Sequence, residues 1–203
     1  MSWHLVIALS LALIPIVLSP GTSAILTAQY AATGGRRDVL AVMLGTCTGL
    51  YIHASLAALG LSALVMASAT ALTVVKVIGA VYLVGLGCHL LVKRPPTAAT
   101  GGPRTSGRNV FAQALIGNIA NPKAALVYLT LPVQFLQPGE SAVVAAFLLA
   151  TLHMVMLLPW LSMWAIVVGS AKRSSRLTSA TAVIQRGGGL LLIGLGIRSA
   201  VAN

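Results

Sequence analysis

Six apolar runs account for most of the chain of 203 residues: Trp3 to Gln29, Val39 to Ala67, Ala71 to Val92, Val110 to Phe135, Ser141 to Gly169 and Gly187 to Ala202. A membrane span needs ~20 apolar residues, so the pattern predicts an all-α integral membrane protein of six transmembrane helices, with little chain left for a soluble domain. Two of the runs are interrupted, at Ser19-Pro20 and at Asn121-Pro122. Proline removes a backbone donor and its ring crowds the preceding turn, which predicts that helices 1 and 4 are broken. No basic segment precedes the first run, which is longer than the apolar part of a signal peptide and reads as an uncleaved span.

The interruptions repeat in order. Ser19-Pro20 and Asn121-Pro122 lie 102 residues apart, His53 and His153 lie 100 apart, and Val84-Gly85-Leu86-Gly87 returns as Ile193-Gly194-Leu195-Gly196 at an offset of 109. Gly and Leu are abundant here, so any one match carries little; the ordered set points to a duplicated three-helix unit. An odd number of spans per unit makes the second copy enter the membrane from the opposite side. The expected organisation is a first repeat over 1–92, a cytoplasmic linker over 93–108 and a second repeat over 109–203. The linker carries Pro95, Pro96, Gly101, Gly102 and Pro103, a flexible composition.

Composition fits this picture: 58% of residues are hydrophobic and 7% charged, against about 25% charged in a soluble domain. The formal net charge of +11 suggests nucleic acid until the basic residues are located. Arg36 and Arg37 fall in the first loop, Lys93, Arg94, Arg104 and Arg108 in the third, and Lys172, Arg173 and Arg176 in the fifth, with Arg186 at its end. They mark cytoplasmic loops by the positive-inside rule, no nucleic-acid partner is expected, and both termini are predicted outside. Cys47 and Cys88 sit in apolar helices without paired spacing and read as small hydrophobes.

Lys123 is the one charge between Arg108 and Glu140, and a charge at that depth costs ~2.5–3.5 kcal/mol on insertion scales. It follows a proline preceded by asparagine. Ser or Asn before a proline is a helix-start signature, so Ser19 is expected to cap a half-helix beginning at Pro20, freeing the amides of Gly21, Thr22 and Ser23. Asn121 is expected to cap another beginning at Pro122, freeing those of Lys123 and Ala124. Helix N-termini attract anions, and Lys123 adds a full positive charge. The carbonyls of Ile16 and Asn118, four residues before each proline, lose their helical donors and are open to a substrate ammonium or hydroxyl. A zwitterion suits this arrangement better than a bare cation. The alternative is that the breaks are packing kinks, the reading adopted for Pro15, Pro132 and Pro159.

His53 and His153 are the mid-span groups with reference pKa near neutrality, around 6.5. Each is a candidate for proton coupling, although a lone His inside an apolar helix is more often a hydrogen-bonded core residue.

These pieces make the chain resemble the lysine exporter superfamily, in particular its LysE/RhtB branch, which exports lysine, homoserine, threonine and other amino acids. The matching residues are Ser19-Pro20-Gly21, Gly45 through His53, Gly117 through Leu126, Pro132, Gln134-Phe135 and Gly194-Leu195-Gly196. The resemblance covers nearly the whole chain, and its Asn-Pro-Lys-Ala-Ala run is its most specific part. It implies a multi-pass efflux carrier of the bacterial inner membrane, driven by protons and without a cofactor, in which Pro20, Gly21, Asn118, Asn121, Pro122 and Lys123 line the substrate route. Many relatives read Pro-Gly-Pro-Asp or Pro-Gly-Pro-Asn where this chain has Pro20-Gly21-Thr22-Ser23. With Asp38 and Glu140 confined to span ends, no fixed negative charge remains to hold a cationic side chain. Neutral amino acids are therefore the expected substrates, with Thr22 and Ser23 among the binding residues.

Rival readings are a metal exporter, which lacks a carboxylate, thiolate or imidazole cluster, a thiol electron carrier, which needs cysteines beside the breaks, and a non-transporting scaffold subunit. No nucleophile–base pair or metal constellation appears at recognisable spacing, so no enzyme activity is expected. Small-residue faces such as Gly45 with Gly49 suit contacts within a protomer or across a homodimer.

Overall fold

The computed structural model describes residues 3–19, 21–33, 35–67, 69–92, 107–137 and 139–169, with isolated positions 186, 190, 192–194 and 197. These residues form seven α-helices: α1 Trp3–Leu18, α2 Thr22–Thr33, α3 Arg36–Ala67, α4 Ala69–Val92, α5 Gly107–Ile119, α6 Pro122–Phe135 and α7 Ala142–Gly169. The all-helical class expected from the apolar runs is present, and the described residues include no strand. Helices α3 and α7 are each long and apolar enough to cross a membrane, and the pair α1–α2, bent by 50°, brings the number to as many as three. The expected sixth span, Gly187 to Ala202, lies outside the described residues apart from isolated positions, as do residues 93–106 of the linker, Ser68, Lys172, Arg173 and Arg176.

The helix breaks follow from proline chemistry. Asn121, at φ −80° and ψ 109°, caps α6, and its side chain accepts from the Lys123 amide at 3.0 Å. The expected cap is therefore present, but it occupies one of the two amides expected to be free. The first break differs from expectation. Ser19 donates its amide to Pro15 at 3.1 Å and so belongs to the end of α1, while the Gly21 carbonyl takes the first bond of α2 from Ile25 at 3.1 Å. Glycine is itself a tolerated N-cap, which moves the start of α2 from Pro20 to Thr22. Pro20 lies outside the described residues.

Helices α5 and α6 have 13 and 14 residues, about 20 Å each at 1.5 Å per residue, too short to cross alone. Helix α3 packs most closely on α5, α7 packs on α1, α2 and α3, and α4 lies against α6. The core is drawn largely from α1, α3, α6 and α7, with Leu192 joining it. A smaller cluster ties Tyr30 of α2 to Val42, Val110 and Ala114. Outward faces are apolar as well: Ile7, Leu11 and Ile14 stand exposed on α1 and Phe147 and Val155 on α7, the pattern that lipid rather than water requires.

Lipid tails are as apolar as leucine, so close van der Waals packing must hold the helices together. The α3–α5 contact supplies it. A Cβ on Gly45 would stand 2.5 Å from the carbonyl oxygen of Phe111, and one on Gly49 would stand 2.5 Å from Asn118 Oδ1. These glycines thus serve a contact within the chain. Helices α3 and α7 also meet through residues 100 apart: Tyr51 and Thr151 share an exposed hydroxyl hydrogen bond of 3.2 Å. Near one end of the bundle Gln137 reaches His4 at 3.5 Å, which sets the start of α1 beside the α6–α7 turn.

Gly45→Ala is expected to destabilise the protein by about 1–3 kcal/mol, because a backbone carbonyl cannot swing aside as a side chain can. Gly85→Ala, where a Cβ meets nothing within 4 Å, is expected to match or exceed the wild type. Thermal unfolding of the two variants in one detergent checks this, and equal midpoints would contradict the close approach.

Candidate functional site

Each broken helix leaves one carbonyl without its helical donor, because residue i+4 is a proline. In the first break this carbonyl is Ile16, and in the second it is Asn118. Neither is open as the sequence suggests. Lys123, in the first turn of α6, sends its Nζ to the Ile16 oxygen at 2.9 Å and toward the Ser19 oxygen at 3.5 Å. His53 of α3 meets the Asn118 oxygen through Nε2 at 3.1 Å. A carbonyl only accepts, so Nε2 of His53 carries the proton and donates. The Asn118 oxygen also takes the Asn121 amide at 3.0 Å.

The two stitches are reciprocal. Lys123 reaches back across 107 residues and His53 reaches forward across 65, each from its own part of the chain to the break in the other. The Lys123 ammonium is thus met by carbonyls rather than a carboxylate. Asp38 lies in the first turn of α3 and Glu140 in the α6–α7 turn, the span ends where they were expected.

Between the breaks lies a cavity of about 50 Å³, room for a few waters. Gly21, Thr22, Ser23, Asn118, Asn121, Lys123 and His153 all line it. Of the remaining residues singled out from sequence, Pro122 heads α6 and His53 stands behind Asn118, outside the lining. Ser23 Oγ accepts from Thr46 Oγ1 at 3.2 Å, which anchors the first turn of α2 on α3. The Lys123 carbonyl accepts from Tyr82 of α4 at 3.3 Å.

Three residues of the site were not legible as functional in the sequence. Tyr128 is sandwiched between the histidines, with ring centroids 5.8 Å from His53 and 6.0 Å from His153 and interplanar angles of 28° and 18°. Its hydroxyl pairs with Nδ1 of His153 at 3.4 Å. All three rings are buried, at 5% for His53, 1% for Tyr128 and 7% for His153. Trp160 lines the cavity, and its Nε1 is buried with no hydrogen-bond partner among the described residues. Helical spacing was the available signal for it, since His153, Leu157 and Trp160 share one face of α7. Tyr82 offered none.

Cys47 on α3 and Cys88 on α4 are free thiols outside this cavity. Among the described residues no three His, Cys, Asp or Glu side chains gather as a metal site.

No solved structure matches the chain. Relatives include the uncharacterized membrane protein YrhP of Bacillus subtilis, 28% identical over 95% of this chain and 98% of the relative. The homoserine/homoserine lactone efflux protein of Salmonella typhimurium is 33% identical over 61% of this chain and 60% of its own. The threonine efflux protein of Escherichia coli K12 is 30% identical over 61% of this chain and 64% of its own. The LysE type translocator family matches residues 14–203, a stretch that contains both breaks, Lys123 and the histidine pair. The chain belongs to the LysE type translocator family.

Proposed function

We propose that this protein is a secondary carrier that exports neutral amino acids from the cytoplasm across the bacterial inner membrane, coupled to the proton gradient. The observation that carries this reading is the convergence of two proline breaks and one lysine on a single cavity between α1–α2, α5–α6 and α7. The start of α2 offers a positive helix end to a carboxylate, and Lys123 offers an ammonium. Relatives named for threonine and homoserine efflux support the substrate class. The absence of a carboxylate among the cavity-lining residues disfavours lysine or arginine.

The inverted three-helix plan, with repeats over 1–92 and 109–203, is part of this proposal. It is supported by the Tyr51–Thr151 contact at an offset of 100 residues and by the matched packing of α3 on α5 and α1 on α7. Residues equivalent under a two-fold axis meet one another where they lie close to it. Termini outside and association as a homodimer remain parts of the same reading. The dimer surface excludes Gly45 and Gly49, which are committed to α5.

Of the two histidines, His153 is assigned the coupled proton. It lines the cavity, and its Nδ1 faces a hydroxyl that donates to the neutral ring and accepts from the protonated one. His53, whose Nε2–H is held by the Asn118 carbonyl, is a positioning residue for the second break.

Efflux from proteoliposomes preloaded with a mixture of amino acids tests the main claim. Wild type is expected to release neutral amino acids selectively and Lys123→Met to lose at least 90% of that rate, about tenfold or ~1.4 kcal/mol, while remaining in the membrane. Robust lysine export with no release of a neutral amino acid would sink the proposal. A second measurement separates the histidines: His153→Gln is expected to abolish the response to an imposed pH gradient. His53→Gln is expected to lower thermal stability by about 1–3 kcal/mol by weakening the satisfaction of a buried carbonyl. Retention of the full pH response by His153→Gln would remove that residue from the coupling role.

A further inference from the structure

We infer that the carbonyl end of α1, the oxygens of Ile16 and Ser19 now held by Lys123, is the binding point for the substrate's ammonium. This rests on the amino-acid reading above and specifies how such a solute is held. Ile16 is 4% exposed and its carbonyl has no helical donor to come, because residue 20 is proline. A buried carbonyl of this kind needs a donor, and among the described residues the donor is a primary ammonium, Lys123 Nζ, at 2.9 Å. The second contact, to Ser19 at 3.5 Å, completes a pair of oxygens at the negative end of the α1 dipole. A substrate ammonium has the same donor chemistry as the lysine that sits there.

The geometry around this pair explains why the solute must be a zwitterion. Just beyond the break α2 begins, at Thr22, with its positive end lining the same cavity. A solute lying across the break sets its ammonium against α1 and its carboxylate against the start of α2. Its ammonium displaces Lys123, and the displaced lysine turns to the carboxylate that arrives with it. Every charged or orphaned group then has a partner before and after the exchange. A simple amine displaces Lys123 but leaves it unpaired, and a simple carboxylate draws Lys123 away while leaving the Ile16 oxygen unmet. The same bond is a strap, because Lys123 ties the first turn of α6 to the end of α1, and the incoming ammonium unties it.

Binding of two cations of equal size to the purified full-length protein tests this: tert-butylammonium, which donates hydrogen bonds, and tetramethylammonium, which does not. Removing Lys123 relieves charge repulsion for both but opens the carbonyl pair only to the donor. Lys123→Met is expected to bind tert-butylammonium at least tenfold more tightly than wild type, with less than a threefold gain for tetramethylammonium. Equal gains would mean charge relief alone, and no gain in either would mean that the carbonyls are not a ligand site; both results overturn the inference. Should the variant fail to fold, hydrogen exchange over residues 119–126 of the wild type reads the strap. It is expected to quicken at least threefold at saturating tert-butylammonium and not with tetramethylammonium, and an equal response to both overturns the inference. A protein that exports no amino acid yet shows the selective gain loses the transport reading and keeps the ammonium site; efflux without the gain loses the site alone.

Discussion

Two backbone carbonyls that lose their helical donors to proline, in residues each 4% exposed, set the terms for the centre of this protein. An unmet carbonyl in a low-dielectric interior costs ~1–3 kcal/mol or more, and each proline break creates one. The chain meets each with a side chain that belongs to the other half: Lys123 on Ile16 and His53 on Asn118. Breaks that would otherwise weaken the bundle thus become points where distant parts of the chain are joined. The positions of α3, α6 and α7 follow, because these helices must deliver a lysine, a histidine and the cavity wall to within hydrogen-bond reach of two short gaps.

Packing supports that arrangement from one side. Helix α3 approaches α5 at glycine distance, and this close seating lets His53 reach the end of α5. The aromatic column of His53, Tyr128 and His153 continues the contact through α6 to α7. One rigid ring separates the two histidines, so the buried stitch at one end and the cavity wall at the other share a single packed unit without sharing a hydrogen bond.

The parts of this design legible in the sequence are local. An asparagine before a proline announces a capped helix start, and α6 begins there with the expected side chain–amide bond. The same grammar misplaced the first break, because Ser19 has a competing partner in the Pro15 carbonyl and the glycine at 21 can start a helix unaided. Ile16 and Asn118 were recognisable as orphaned by counting back four residues from each proline. What occupies them was not, since the partners lie 107 and 65 residues away and depend on how the helices are seated. Tyr128 was hidden for the same reason: in sequence it is one more amphipathic residue of a helix, and its role arises from α3 and α7 arriving on either side.

The Lys123 stitch has a bearing on the return stroke of a carrier. An empty site that exposes an unmet dipole or charge resists reorientation, which is why some carriers must take a passenger in both directions. Here the Ile16 and Ser19 carbonyls hold a cation supplied by the protein itself. In the proton-coupled carrier we propose, such a centre would need no second organic solute to satisfy its carbonyls on the return, which suits one-way venting rather than solute-for-solute exchange.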